Sequence, residues 1–136
     1  MPQVILHHIT IVATDLDRSV AFYQNLFGFA RLERPPFKIR GAWLATGDYL
    51  QLHVLDNPEG TFRTGGVDIN DVHFAFRTDD FEGVLSRLIA NGFSEDAPEA
   101  DLKRLIVFKT GLAGFAQLYL LDPDRNIVEV NRAPRT

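Results

Sequence analysis

The feature that most constrains the fold of this chain is an internal repeat. Residues 8–15 read HITIVATD and residues 73–80 read HFAFRTDD, so in each segment a histidine is followed seven residues later by an aspartate. The two copies lie 65 residues apart along a chain of 136 residues. Chance similarity between strand–helix units is common, but the matched caps and stops described next favour a true repeat of one supersecondary unit.

Each copy predicts a strand followed by a helix. The β-branched and aromatic residues after each histidine favour a strand, and the pairs Thr14-Asp15 and Asp79-Asp80 supply N-cap residues that can accept hydrogen bonds from the first helical turn. Both helices are expected to stop at a glycine that precedes a phenylalanine, Gly28 and Gly92, because glycine tolerates the left-handed conformation that ends helices. The apolar positions that define the helix faces are Leu16, Val20, Tyr23 and Phe27 in the first helix, and Phe81, Val84, Leu85, Leu88 and Ile89 in the second.

Strand-like segments also follow each helix, so each half is predicted as a βαβββ module. Module one covers about 4–55 and module two about 71–132, within a single domain over residues 1–136 of the α+β class. The stretches 56–70 and 97–104 are rich in turn-forming residues and are predicted as loops. The predicted later strands are 29–33, 41–45 and 49–55 in the first half, and a weak segment near Phe93, 115–121 and 126–131 in the second.

Composition narrows the chemistry and the partners. The chain has no cysteine, so a metal site would have to use histidine, carboxylate and amide groups. Its net charge is −4 and it lacks a basic stripe, which argues against a nucleic-acid partner. The apolar stretch at the N-terminus is too short and too interrupted for a membrane span or a signal peptide. We therefore expect a cytoplasmic protein with no membrane partner.

Strand alternation selects two histidines as candidate ligands. Because side chains alternate along a strand, His8 and Thr10 share the face opposite the isoleucines of the first strand, and His73 and Ala75 share the corresponding face of the second copy. The bulky apolar face must pack under the helix, so the histidine face is expected to line the cavity that the sheet encloses. His7 is assigned to the packing side.

The last strand of each half adds the remaining candidates. Glu129 lies between two valines, and an unpaired buried charge costs several kcal/mol, so this carboxylate needs a partner. A metal ion held together with His8 and His73 would be such a partner. Aligning residues 48–52 with 126–130 pairs Gln51 with Glu129. A lone histidine or glutamate in a strand is more often structural, and only the pseudo-symmetric set favours a metal site.

Three stretches, LHHITIVATDLDRSVAFYQNLFGF, DVHFAF and YLLDPDRNIVEVN, resemble the vicinal oxygen chelate superfamily, which includes glyoxalase I, fosfomycin-resistance enzymes, bleomycin-resistance proteins and extradiol dioxygenases. The resemblance spans nearly the whole chain. It implies two βαβββ modules that form an open eight-stranded mixed barrel, usually completed as a homodimer. It also implies a divalent metal (Zn, Ni, Fe, Mn or Mg) at the position of His8, His73 and Glu129.

The resemblance also bears on the fourth ligand and on one turn. Glyoxalase-like members place a Glu or Gln on the last strand of the first half, which implies Gln51 as the fourth metal ligand. His53 faces the same way and is the alternative, as a contact of the metal or of the substrate. The family usually has a glycine where this chain has Arg125, so we expect a positive φ at Arg125 or Asn126.

The function implied by the resemblance is that of a metal-dependent lyase or isomerase of the glyoxalase I (lactoylglutathione lyase) type, acting on a small oxygen-chelating substrate. Two histidines and one carboxylate leave coordination positions open for a substrate oxygen. Glu129 is the only carboxylate of the set and is the candidate catalytic residue, and His53, Thr10 and Trp43 are candidates for the substrate pocket. Two alternatives stay open: a metal-dependent dioxygenase or resistance-type thiol transferase, and a binding protein that sequesters an antibiotic.

Overall fold

Helices and strands recur in the same order in the two halves of the chain. The computed structural model describes residues 1–61 and 63–134, and the chain divides into two units, Met1–Phe62 and Arg63–Thr136. No helix in the described part of the chain is long and apolar enough to cross a membrane. The elements are β1 (His8–Ala13), α1 (Leu16–Phe27), β2 (Ala30–Leu32), β3 (Gly41–Ala45), β4 (Gln51–Asp56), β5 (His73–Thr78), α2 (Phe81–Ala90), β6 (Ile106–Phe108), β7 (Gln117–Leu121) and β8 (Ile127–Arg132).

Each unit builds one mixed four-stranded sheet. The strand order is β1-β4-β3-β2 in the first unit and β5-β8-β7-β6 in the second. In each sheet the first strand runs parallel to the fourth, and the other pairs are antiparallel. Parallel neighbours need a long crossover connection, which the helix and the two intervening strands supply. The prediction of an α+β fold with two βαβββ modules is confirmed, and the interpretation of the chain as a single domain stays a prediction.

The helix ends follow the chemistry that the repeat predicts. The carboxylates of Asp15 and Asp80 accept backbone N–H groups of the first turn at 3.1 and 3.0 Å. Helix α1 ends at Gly28, whose φ is 74°, and Gly92 just after α2 has φ 91°. Both glycines occupy the left-handed region, where a side chain would be strained.

Each helix buries one face against its own sheet. Helix α1 contacts β3 and β4, and α2 contacts β8. Burying a leucine or phenylalanine side chain contributes about 1.5–3 kcal/mol, so these faces hold the helices in place. The buried face of α2 is narrower than predicted, because Ile89 is 57 % exposed. The buried helix residues are Leu16, Ser19, Val20, Tyr23 and Leu26 in α1, and Phe81, Leu85 and Leu88 in α2.

One predicted strand is wrong. The segment near Phe93 forms no strand, and its only ladder contact among the described residues is an isolated bridge between Ser94 and Arg104. The backbone N–H of Phe93 donates to the carbonyl of Leu88, so this residue is used to terminate α2. The second strand of this unit is instead Ile106–Phe108, which pairs with β7 after the loop over 97–104.

The predicted positive φ is confirmed at Arg125. Its φ is 66°, and it is the only non-glycine residue with positive φ in the described part of the chain. The Arg125 side chain also makes hydrogen bonds: one guanidinium nitrogen donates to the carbonyls of Gly65 at 3.2 Å and Ala100 at 2.9 Å. The turn before β8 therefore combines backbone strain with bonds to two loops of its own unit.

This combination predicts the stability of a pair of variants. We expect Arg125→Gly to have a free energy of unfolding about 1 kcal/mol higher than Arg125→Ala, because only alanine retains the left-handed strain. Both variants lose the guanidinium hydrogen bonds, so the difference isolates the backbone. Urea unfolding at neutral pH measures it. The same pair at Asn126, whose φ is not positive, should favour alanine, and equal stabilities at Arg125 would contradict the strain.

Candidate metal-binding site

Strand pairing in the first unit gathers the five site residues predicted for it. His8 lies opposite Gln51, and Thr10 opposite His53, in the β1–β4 pair, and Trp43 lies opposite His53 in the β3–β4 pair. The His53 ring is sandwiched between two others, with centroids 3.9 Å from His8 at an interplanar angle of 13° and 4.5 Å from Trp43 at 9°. His53 is 7 % exposed, whereas His8 and Thr10 are exposed.

The His53 imidazole is held in a neutral state with one nitrogen engaged. Its Nε2 lies 2.8 Å from the Oε1 of Gln51, an oxygen that can only accept, so Nε2 carries the proton. Burial, helped by the neighbouring charges of His8, His7 and Arg34, lowers the pKa of His53 to about 4. Near neutral pH the Nδ1 atom of His53 therefore carries a lone pair.

His7 does not lie on the packing side, where alternation placed it. It is exposed and precedes β1, so the strand periodicity does not extend to it. Its Nδ1 lies 2.8 Å from the Nδ1 of His8, so one of the two nitrogens donates and the other accepts. His7 therefore contacts a candidate ligand.

The second unit brings His73 and Glu129 together. The Nε2 of His73 lies 3.4 Å from the Oε1 of Glu129, and its Nδ1 lies 2.9 Å from the backbone carbonyl of Asp71. A carbonyl can only accept, so Nδ1 carries a proton, and in the neutral imidazole Nε2 presents its lone pair to the carboxylate. Two electron-pair donors that face each other favour a cation between them.

Glu129 is surrounded by donors that keep it ionised. It is 6 % exposed, and Asn131 Nδ2 donates to its Oε2 at 2.8 Å. Burial alone would raise the pKa of Glu129, but hydrogen bonds from Asn131, Tyr119 and Gln117, together with the attraction of His73 when that ring is protonated, lower it overall. Burial and the bond to Glu129 raise the pKa of Tyr119 to about 12, so its phenol remains a donor. A carboxylate held in this way is a good metal ligand and a weak base.

The sequence did not identify these three supporting residues. Tyr119 lies opposite Glu129, and Gln117 opposite Asn131, in the β7–β8 pair. Asn131 lies two residues after Glu129, so alternation places it on the same face of β8. That spacing was a usable signal for Asn131, whereas Tyr119 and Gln117 require the register between two strands.

The register corrects the predicted equivalence of Gln51 and Glu129. Thr10 pairs with His53 in the first unit, and Ala75 pairs with Glu129 in the second. The counterpart of Glu129 is therefore His53. The alignment was displaced by two residues, a shift that leaves every side chain on its original face and so leaves the apolar alternation unchanged.

The donors present suit a divalent transition metal, since imidazole nitrogen and carboxylate oxygen are ordinary ligands for such ions. The structure brings His8, Gln51 and His53 together in one unit and His73 with Glu129 in the other. Within residues 1–61 and 63–134, no group of three or more His, Cys, Asp or Glu side chains is arranged to hold an ion. The stacked rings of His8 and His53 also lie in nearly parallel planes, and His8 is the exposed ring of the two.

The family model described as the Glyoxalase/Bleomycin resistance protein/Dioxygenase superfamily matches residues 5–130. The chain is 28 % identical over 128 residues to an Arabidopsis thaliana protein named Glyoxylase I 4, covering 92 % of this chain and 68 % of that protein. It resembles a glyoxalase/dioxygenase from Nostoc punctiforme, with a TM-score of 0.71, 20 % identity and 99 % of each chain covered.

It also resembles a variant of the fosfomycin resistance protein FosX from Listeria monocytogenes, complexed with Mn(II) and 1S,2S-dihydroxypropylphosphonic acid. The TM-score is 0.70 at 16 % identity, covering 98 % of this chain and 95 % of that one. The structural likenesses show the glyoxalase-like fold, and the family model covers most of the repeat on which the site is built. The chain belongs to the Glyoxalase/Bleomycin resistance protein/Dioxygenase superfamily.

Proposed function

We propose that this protein is a metal-dependent lyase or isomerase of the glyoxalase I type, acting on a small substrate that chelates through oxygen. The observation that carries the proposal is the 3.4 Å approach of His73 Nε2 to Glu129 Oε1, with the other imidazole nitrogen bonded to the carbonyl of Asp71. The relative named Glyoxylase I 4 supports the proposed activity, and the Mn(II) bound to FosX supports the proposed metal.

The proposed ligands are His8, His53, His73 and Glu129. His53 replaces Gln51 in this set because its register position matches that of Glu129, and because imidazole binds divalent transition metals better than an amide does. Gln51 would then accept from Nε2 of His53 and leave Nδ1 for the ion. This role parallels that of the Asp71 carbonyl at His73.

A divalent ion bound there would supply a Lewis acid for a carbonyl or hydroxyl oxygen of the substrate. Glu129 is the group that we assign to accept a proton from the carbon next to that oxygen, and it would have to loosen from the ion to do so, because a metal-bound carboxylate is a weak base. Tyr119 and Asn131 hold this carboxylate in one orientation. Thr10 and Ala75 are the small residues on the two ligand-bearing strands, and they leave room for the substrate.

We also propose that the protein works as a homodimer. Val4, Ile5 and Leu6 are each more than 60 % exposed, and consecutive apolar side chains left in water favour a protein partner. A second copy is the simplest such partner. Size-exclusion chromatography with light scattering should give a dimer mass, and a monomer at micromolar concentrations would contradict this assignment.

A second candidate is a binding protein for a flat aromatic ligand. The stacked rings of His8, His53 and Trp43 favour it, because such a stack can be extended by a planar molecule. The family description itself includes bleomycin resistance proteins. This candidate requires no metal, so metal content separates it from the first.

The test is to measure bound metal and turnover in the purified protein. We expect one divalent ion per chain, bound with a Kd below about 1 µM, or about −8 kcal/mol, and isomerisation of the hemithioacetal of methylglyoxal and glutathione. Metal without turnover would preserve the site and reject the substrate class, and oxygen uptake with catechols would then indicate a dioxygenase. Absence of metal binding would reject the enzyme in favour of the binding protein.

A further inference from the structure

Arg77 extends the proposed metal-binding face of the second unit. It lies on β5 two residues beyond Ala75 and four beyond His73, so the three side chains share one face. Its partner in the β5–β8 pair is Asn131, the residue that donates to Glu129. Arg77 is exposed, although its neighbour Asn131 is buried.

The Arg77 guanidinium is held from two sides. Its Nε donates to the Oδ1 of Asn131 at 2.7 Å, and its Cζ lies 4.8 Å from the ring centroid of Phe115. Among residues 1–61 and 63–134, no side chain or carbonyl accepts from its two Nη atoms. The remaining N–H groups therefore form an oriented edge, the geometry with which arginine binds carboxylate and phosphonate groups through two hydrogen bonds.

We infer that Arg77 binds an anionic oxygen group, a carboxylate or phosphonate, at the end of the substrate that is remote from His73 and Glu129. This inference rests on the proposed function, which places a chelated oxygen at those two residues. Ala75 pairs with Glu129 and Arg77 with Asn131, so Arg77 lies about 6.6 Å along the strand beyond the position of Glu129, and about 13 Å beyond that of His73. The spacing fits a molecule whose chelating end and acid group are two or three carbons apart.

A purely structural role makes a different prediction. If Arg77 only braces Asn131, its loss would disturb Glu129 and would weaken every chelating ligand to the same extent. If Arg77 binds an anion, its loss would weaken only ligands that carry one. The ratio of two affinities therefore separates the roles.

The experiment uses Mn(II)-loaded protein and isothermal titration calorimetry with two hydroxamates. Succinomonohydroxamic acid and butyrohydroxamic acid share the chelating group, and only the first carries a carboxylate. We expect the wild type to prefer the carboxylate compound by about 10- to 100-fold. The ratio of the two affinities should fall to nearly one in Arg77→Ala and to an intermediate value in Arg77→Lys. Arg31→Ala, on an exposed arginine of β2, should retain it.

Metal content is measured first in every variant, so that unequal loading cannot alter the comparison. Equal affinities in the wild type, or an unchanged ratio in Arg77→Ala, would overturn the anion site while leaving the proposed function in place. A wild-type protein that takes up no Mn(II) would overturn the proposed function, and this inference with it. An affinity ratio that falls to nearly one in Arg77→Ala and is retained in Arg31→Ala supports the anion site.

Discussion

Replacing Glu129 with glutamine is expected to weaken divalent-metal binding by about 100-fold and to abolish turnover of a hemithioacetal. The size follows from structural zinc sites, whose binding free energy of about 10–16 kcal/mol is shared among four ligands and so amounts to about 3 kcal/mol for each. Glutamine preserves the shape and can still accept from Asn131. The substitution therefore removes the charge that faces His73 with little effect on packing.

Two measurements check this expectation. Competition with a fluorescent chelator gives the metal affinity, and thermal unfolding with and without chelator gives the stabilisation contributed by the ion. Chelator should lower the melting temperature of the wild type and of the control Glu33→Gln, an exposed glutamate, but leave Glu129→Gln unchanged. His73→Ala should behave like Glu129→Gln. Wild-type affinity in Glu129→Gln would remove Glu129 from the ligand set.

Replacing His53 with phenylalanine is expected to cost about 100-fold in metal affinity, again because a ligand is lost. Phenylalanine preserves the stacking between His8 and Trp43, so the ring sandwich should survive. Gln51→Ala removes only the acceptor that orients His53, and loss of such a supporting group typically costs about 10- to 100-fold. We therefore expect the loss in Gln51→Ala to be the smaller of the two.

The comparison also tests the register argument. Circular dichroism of both metal-free variants serves as the folding control. A large loss confined to Gln51→Ala would restore Gln51 as the fourth ligand and remove His53. Equal and negligible losses would mean that neither residue of β4 contributes a ligand, which would leave His8, His73 and Glu129.

The parts of the fold that were predictable are those encoded locally. Capping by Asp15 and Asp80 and the left-handed glycines Gly28 and Gly92 depend on residues within one helical turn, so the repeat alone indicated them. The strand near Phe93 was wrong because a buried aromatic residue after a helix serves equally well as a cap contact. Apolar character alone does not distinguish these two uses.

The site was predictable only as far as strand faces. Alternation grouped His73 with Glu129, whose side chains approach to 3.4 Å, and His8 with His53, whose rings stack, because a side chain's face depends on its own strand. The counterpart of Glu129 was misassigned, since a displacement of two residues preserves the face and changes only the register. Tyr119 reaches Glu129 through the pairing of β7 with β8, which the residues of one strand do not encode.

The imidazoles of His73 and His53 differ in how much their hydrogen bonds depend on the residue that supplies the acceptor. The proton of His73 points to a main-chain carbonyl, which every amino acid at position 71 provides. The proton of His53 points to the side chain of Gln51, which most substitutions would remove. Evolutionary drift at position 71 should therefore leave the donor atom of His73 unchanged, whereas drift at position 51 would release His53 to the other tautomer. Position 51 should accordingly vary less among functional relatives than position 71.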